Sequence, residues 1–236
     1  MSVLLDVDGL QSFYGVSQVL HGIDLEVKRG EQIALLGRNG MGKTTLLKSI
    51  MGLVADRRGR IALQGQDIIK AQPEGVARGG VAYVPEGRGV FGSLSVVENL
   101  IMAARPSISG KTAWTLARVF EVFPRLHQRR TNGGHQLSGG EQQMLSIGRA
   151  LMTNPDLILI DEATEGLAPL IAQEIWKTLG VIRGEGIATI VVDKDFRSIA
   201  KIVDRTVLIS KGEIVFAGVP SNLMEQPELL EKHLGV

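Results

Sequence analysis

Gly37-Arg38-Asn39-Gly40-Met41-Gly42-Lys43-Thr44 joins the apolar run Gln32–Leu36 to Thr45-Leu46-Leu47, and this junction decides the fold. The octet fits G-x-x-x-x-G-K-[ST] at every position, in the strand–loop–helix context that the motif requires. The run before it is short, continuously apolar and closed by glycine, as expected of a strand buried on both faces. After it, Leu46, Leu47, Ile50 and Met51 share one helical face, and Gly52 is placed to end the helix. Glycines 37, 40 and 42 let the backbone curl so that successive N–H groups face an anion. The positive end of the helix starting near Lys43 faces the same point. Arg38, Asn39, Met41 and Thr45 belong to the same cradle. Lys43 supplies charge to the β- and γ-phosphates and is expected to stand exposed when they are absent. Thr44 offers a hydroxyl to Mg²⁺. A glycine-rich turn with a chance lysine is the competing reading, and the flanking strand and helix argue against it. A nucleoside triphosphate site follows.

Outward from this junction, residues 3–8 and 19–27 read as strands, the second alternating as a half-buried antiparallel strand does. Short strands are expected at Arg60–Leu63, Val81–Val84, Leu157–Ile160, Ala188–Val192 and Thr206–Ile209. Ser95-Val96-Val97-Glu98 is a capping box opening a helix to about Ala104. Further helices are expected over 112–123, 140–152, 169–183 and 195–203, with two short ones after Pro220. The 236 residues carry 44% apolar and 22% charged side chains, an ordinary globular balance. With 26 basic and 25 acidic residues the net charge is +1, so the chain is not expected to coat nucleic acid. The absence of cysteine excludes a disulfide framework, a thiolate metal site and a cysteine nucleophile. No apolar run approaches a membrane span, and no secretory leader is expected from Met1–Asp6. Within the block 93–155, the stretch 105–130 contains Arg105, Lys111, Arg118, Arg125, Arg129 and Arg130 against Glu121. This reads as a solvated face, or as a contact surface for a partner or anionic headgroups.

Two more motifs carry chemistry. Leu157-Ile158-Leu159-Ile160-Asp161-Glu162 is an apolar strand ending in two carboxylates. Asp161 is placed to hold Mg²⁺, and Glu162 to polarise an attacking water. An ordinary strand with an acidic turn would look the same in isolation; beside the phosphate loop it is the weaker reading. Leu137-Ser138-Gly139-Gly140-Glu141-Gln142-Gln143 sets serine and two glycines at a helix start, a second anion-ready end. The chain alone leaves open whether the two ends meet within one molecule or across a dimer.

Phosphate loop, LSGGEQQ and apolar-Asp-Glu, in that order, resemble the ATP-binding subunit of ABC transporters over essentially the whole chain. Val84-Pro85-Glu86-Gly87-Arg88, Asp161–Pro169 and Lys232–Val236 are similar to the branch serving branched-chain amino-acid uptake, and urea and amide importers look alike. The resemblance implies an α/β fold: a P-loop ATPase core with an antiparallel β subdomain over 1–92 and 156–219, and an inserted helical subdomain over 93–155 carrying the signature. A helical tail covers 220–236. It implies ATP and Mg²⁺, and a head-to-tail dimer with an identical or paralogous subunit. It also implies integral-membrane permease subunits, a solute-binding protein acting indirectly, and no nucleic acid. The chain would be soluble when isolated and peripheral on the cytoplasmic face of the inner membrane.

Carried over by residue, Tyr14 would stack on adenine, although a strand tyrosine is otherwise core packing. Ser138, Gly139, Gly140 and Glu141 would meet the partner's nucleotide. Arg149 reads as structural. The chain departs from the wider family at Glu86, where glutamine is usual and which would still reach Mg²⁺ or its water. It departs again at Ala168, where aspartate is usual, and at Lys194, where a histidine usually contacts the γ-phosphate. Lys194 either points to solvent or, flanked by Asp193 and Asp195 on the opposite face of an extended segment, keeps its ammonium free for phosphate. The leading reading is an importer ATPase. A scaffold that binds ATP with little hydrolysis is the alternative that Ala168 and Lys194 keep open. A chromosome-associated ATPase would need coiled coils, and a tandem translation factor a second cassette.

Overall fold

Strands buried on both faces must feed two cores, and alternation along them shows how. The computed structural model describes residues 2–108, 110 and 112–235. In β3 (Gln32–Leu36), Ile33 and Leu35 face one side while Ala34 and Leu36 face the other. In β7 (Leu157–Ile160), Leu157 and Leu159 oppose Ile158 and Ile160, and in β8 (Ala188–Val192) Ile190 and Val192 oppose Val191. One set packs with Leu46, Leu47 and Ile50 of α1 (Lys43–Ile50) and with an antiparallel sheet. The other set packs with the helices.

The main sheet has the order β10-β9-β3-β8-β7-β6, where β6 is Val81–Val84, β9 Arg205–Ser210 and β10 Glu213–Gly218. All neighbours are parallel except β9 and β10. The second sheet, β2-β1-β4-β5, is antiparallel: β1 is Val3–Tyr14, β2 Ser17–Lys28, β4 Asp56–Leu63 and β5 Gln66–Asp67. Between β6 and β7 run α3 (Val96–Ile101), α4 (Leu116–Val122), α5 (Pro124–Gln128) and α6 (Gly139–Met152). Then come α7 (Pro169–Gly184), α8 (Phe196–Ile199), α9 (Pro220–Met224) and α10 (Pro227–Leu234); α2 is Pro73–Arg78.

Several elements differ from expectation. The first strand runs to Tyr14 rather than residue 8, because Gly9, at φ 56°, takes up a register shift between Val7 and Leu10 instead of ending the pairing. The helix expected over 112–123 starts at Leu116, where the Thr115 side chain accepts the Arg118 N–H. α3 ends at Ile101 and α8 at Ile199, each shorter than the apolar pattern suggested. β5, β10, α2 and α5 lie outside the elements that the sequence pattern suggests.

Three residues of the basic stretch have acidic partners. Arg118 pairs with Glu121 and Glu185 at 3.0 Å each, Arg125 grips both oxygens of Glu174, and Arg129 lies 3.7 Å from Glu141. Glu174 belongs to α7 and Glu185 follows it, so a charge sum over 93–155 alone could not include them. This favours the solvated face, in which exposed, screened pairs contribute little. Lys111 lies outside the described residues.

Candidate functional site

The phosphate loop is held in shape by close packing where it leaves β3. A Cβ on Gly37 would meet the Ile209 carbonyl oxygen at 2.3 Å, so the loop leaves β3 hard against β9. Gly42, the residue before α1, sits at φ 107° and provides no side-chain cap. Gly212, in the β9–β10 turn, donates its N–H to the Met41 carbonyl at 3.0 Å and accepts from the His21 N–H at 2.9 Å. Among the described residues, the N–H groups of Gly40, Gly42, Lys43, Thr44 and Thr45 find no protein acceptor. Five unpaired donors at a helix N-terminus form an anion receptor.

Lys43 is not exposed as expected; it is 7% exposed. Its ammonium donates to the carbonyl oxygens of Gly37 at 2.7 Å and Arg38 at 2.9 Å, so the curled loop solvates it. Burial lowers its pKa, the charge of Asp161 opposes that shift, and the ammonium of Lys194 adds to it.

Asp161, at the end of β7, is fully buried. Thr44 Oγ1 donates to its Oδ1 at 3.0 Å, and the Tyr83 hydroxyl donates to its Oδ2 at 3.1 Å. Burial raises the Asp161 pKa, and these two hydrogen bonds oppose the rise. Burial and the Asp161 charge push the Tyr83 hydroxyl well above the usual phenol range. Tyr83 went unnoticed in the sequence, where it is one aromatic in a four-residue strand. Its position two residues before Pro85, in a strand neighbouring β7, was the available signal.

A cleft of about 250 Å³ is lined by Val19, Asn39, Gly40, Gly42, Lys43, Thr44, Thr45, Glu86 and Glu162. Eight of the nine are residues expected from sequence. Glu162 has φ 56°, a left-handed conformation that costs a glutamate roughly 1–3 kcal/mol. Glu86, Glu162 and Glu165 bring carboxylate oxygens within 4.8 Å of one another. The donors at this end of the sheet are a hydroxyl and carboxylates, a hard oxygen set that fits Mg²⁺. Glu86 gathers with Glu162 and Glu165, whereas Thr44 and Asp161 are joined directly.

Other expected residues lie outside the cleft. Arg38 turns away and donates to the Glu231 carbonyl at 3.1 Å, and with Met41 it lines a separate cavity beside Lys232 and His233. Tyr14 is half exposed at the end of β1. Ser138 caps α6: its Oγ accepts the Glu141 N–H at 3.3 Å, and Glu141 accepts the Ser138 N–H at 2.8 Å. Gly140 admits no side chain, since a Cβ would meet Ile171 of α7 at 2.4 Å. Arg149 is structural as expected, donating to the Gly89 carbonyl and lying 4.8 Å over the Phe91 ring.

Lys194 does not have a free ammonium. β8 ends at Val192, so the extended segment assumed around Lys194 is absent, and the ammonium pairs with Glu165. Asp195 instead caps α8 through the Ser198 N–H.

Comparison with known proteins agrees with this geometry. The family model described as ABC transporter matches residues 20–165. The chain is 38% identical to the high-affinity branched-chain amino acid transport ATP-binding protein BraG of Pseudomonas aeruginosa, over 98% of this chain and 100% of that one. It is 32% identical to the lipopolysaccharide export system ATP-binding protein LptB of Acidithiobacillus ferridurans, over 100% of this chain and 98% of that one. The crystal structure of a nucleotide-free ATP-binding cassette from an ABC transporter superposes with TM-score 0.83 at 23% identity, covering 98% of each chain, and so shares the fold.

Proposed function

The chain belongs to the ABC transporter family of ATPases, and from that premise we propose that it energises uptake of branched-chain or related amino acids through a separate membrane permease. The whole-length relationship to the Pseudomonas protein carries this reading. In it, residues 1–92 and 156–219 form the ATPase core, 93–155 the helical subdomain and 220–236 the tail.

The triphosphate enters the cleft against the unpaired amides at α1, and the Lys43 ammonium exchanges the Gly37 and Arg38 carbonyls for phosphate oxygens. Thr44, Asp161 and Glu86 would hold Mg²⁺, which would neutralise charge on the triphosphate. Glu162 takes a proton from the attacking water. Tyr14 stacks on the base. Ser138, Gly139, Gly140 and Glu141 of a second subunit, identical or paralogous, close over the γ-phosphate head to tail. Lys194 reaches that phosphate after leaving Glu165.

No helix of the described residues is long and apolar enough to cross a membrane. In this reading the permease holds the chain at the cytoplasmic face of the inner membrane, and a solute-binding protein acts through that permease. No nucleic acid takes part. Urea or amide uptake is the neighbouring reading, and the LptB relationship favours a second one, lipopolysaccharide export.

The test is Mg·ATP turnover of the chain assembled with its permease in lipid nanodiscs. Leucine with its binding protein should accelerate turnover. Acceleration by urea or lipopolysaccharide instead would replace the substrate assignment. No hydrolysis under any condition would establish a nucleotide-binding scaffold.

A further inference from the structure

Asp193 follows β8, is 6% exposed, and takes part in none of the chemistry above. Its Oδ2 accepts the Thr164 backbone N–H at 2.8 Å and the Thr164 hydroxyl at 2.7 Å. Its Oδ1 accepts the Asp195 N–H at 2.8 Å. Beside it, the Ala163 N–H donates to the Val192 carbonyl at 3.2 Å. The chain just after Glu162 is therefore fastened to the end of β8. On the other side of Glu162, the Asp161 N–H donates to the Val84 carbonyl at 2.9 Å. Glu162 is thus a left-handed residue between two anchored neighbours. A glutamate keeps that conformation only where the surroundings over-determine it.

We propose that Asp193 is the positioning residue for Glu162: by anchoring Thr164 it fixes the turn that aims the Glu162 carboxylate into the nucleotide cleft. This rests on Glu162 acting as the base. Among the bonds fastening this turn, the Asp193 carboxylate supplies the charged one. A charged acceptor holding two donors of one residue is a strong and directional anchor. The neighbouring Lys194–Glu165 pair is half exposed and offers no comparable hold. Displacing a reacting group by about 1 Å can cost 10²-fold in rate, so a buried anchor two residues from Glu162 has leverage on turnover.

The experiment measures ATP turnover, ATP affinity by calorimetry and thermal stability. It uses the intact chain and its Asp193→Ala, Asp193→Asn, Thr164→Val, Glu162→Gln and Asp193→Ala/Glu162→Gln variants. Asp193→Ala should lower kcat by about 10- to 100-fold with KM and ATP affinity within about twofold. Asp193→Asn should recover part of that loss, since its amide oxygen can still accept both Thr164 bonds while the charge and the acceptor for the Asp195 N–H are gone. Thr164→Val, which removes only the hydroxyl bond, should cost about threefold, and it serves as the readout if Asp193→Ala does not fold. Over Glu162→Gln, Asp193→Ala should cost nothing further. If Glu162→Gln turns over normally, the base assignment fails and this proposal with it. If Glu162→Gln is slow but Asp193→Ala and Thr164→Val are unimpaired, or Asp193→Ala costs the same factor in both backgrounds, Asp193 does not act through Glu162, and only this proposal is overturned.

Discussion

The starts of α1 and α6 look alike in sequence, each a glycine pair at a helix N-terminus, and the fold finishes them differently. α1 follows Gly42, which has no capping side chain, and five amides around it stay unpaired among the described residues. α6 follows Ser138, which closes a complete capping box, with the Glu141 carboxylate already on the Ser138 N–H. Gly139 and Gly140 keep open amides there, with the Arg88 guanidinium against Gly139 and the Glu141 carboxylate lying 3.7 Å from Arg129. The first end is an anion receptor on its own. The second has its side-chain cap already made and only the Gly139 and Gly140 amides open, so alone it offers a phosphate fewer donors. Two helix ends with the same glycine signature thus differ in whether they need a partner.

The largest effect that can break this contrast is on turnover. Glu162→Gln keeps shape but removes basicity, so hydrolysis should fall by about 10²–10⁴-fold while ATP still binds. The trapped complex should run as a dimer in size-exclusion chromatography with Mg·ATP, α6 of one subunit facing α1 of the other. A monomer with near-normal turnover would break the contrast outright. Next is Lys43→Ala, which removes two charge-assisted hydrogen bonds and should weaken ATP binding to the isolated chain by about 100-fold. Circular dichroism should show the fold intact, and unchanged affinity by calorimetry would refute the α1 site. Ser138→Ala sharpens the contrast from the other side. Losing the cap should destabilise α6 by about 1 kcal/mol and slow turnover by about tenfold, with ATP affinity of the monomer unchanged. A fall in that affinity would place the α6 end in the same molecule's site.

Where sequence reasoning succeeded, the signal was local. Gln32–Leu36 into Gly37 and Leu157–Ile160 into Asp161 each compress a buried strand and a chemical group into a few residues, and seven of the nine cleft-lining residues come from these two stretches, Glu86 from the family resemblance. What it missed depends on distant partners. The extent of β1 beyond Gly9 is set by pairing with β2 and β4, which accommodate a bulge. Lys43 is buried because the loop's own carbonyls turn inward, and no side-chain pattern encodes that. Tyr83 and Asp193 act through residues 78 and 29 positions away. Gly140 reads as a phosphate contact, yet its lack of a side chain is already demanded by Ile171.

The smallest effect concerns Lys194, where the two ends of an ATP sandwich would be sensed. Its pairing with Glu165 joins side chains 50% and 42% exposed, and such pairs contribute about 0–1 kcal/mol. Leaving Glu165 is therefore a small loss against meeting a multiply charged phosphate. The Lys194 charge is also felt at Lys43, which places it within electrostatic reach of the phosphate loop. Lysine carries three donors on a flexible stem and holds no fixed orientation, so its contribution should be charge rather than alignment. Lys194→Ala should slow turnover by about three- to tenfold, the loss of roughly 0.7–1.4 kcal/mol of transition-state stabilisation, and weaken ATP-driven dimerisation. Glu165→Gln, which frees the ammonium, should shift dimerisation to lower ATP concentration. If both variants dimerise and turn over as the parent chain does, Lys194 is a surface partner of Glu165, and the amides of Gly139 and Gly140 are left to sense the phosphate without it.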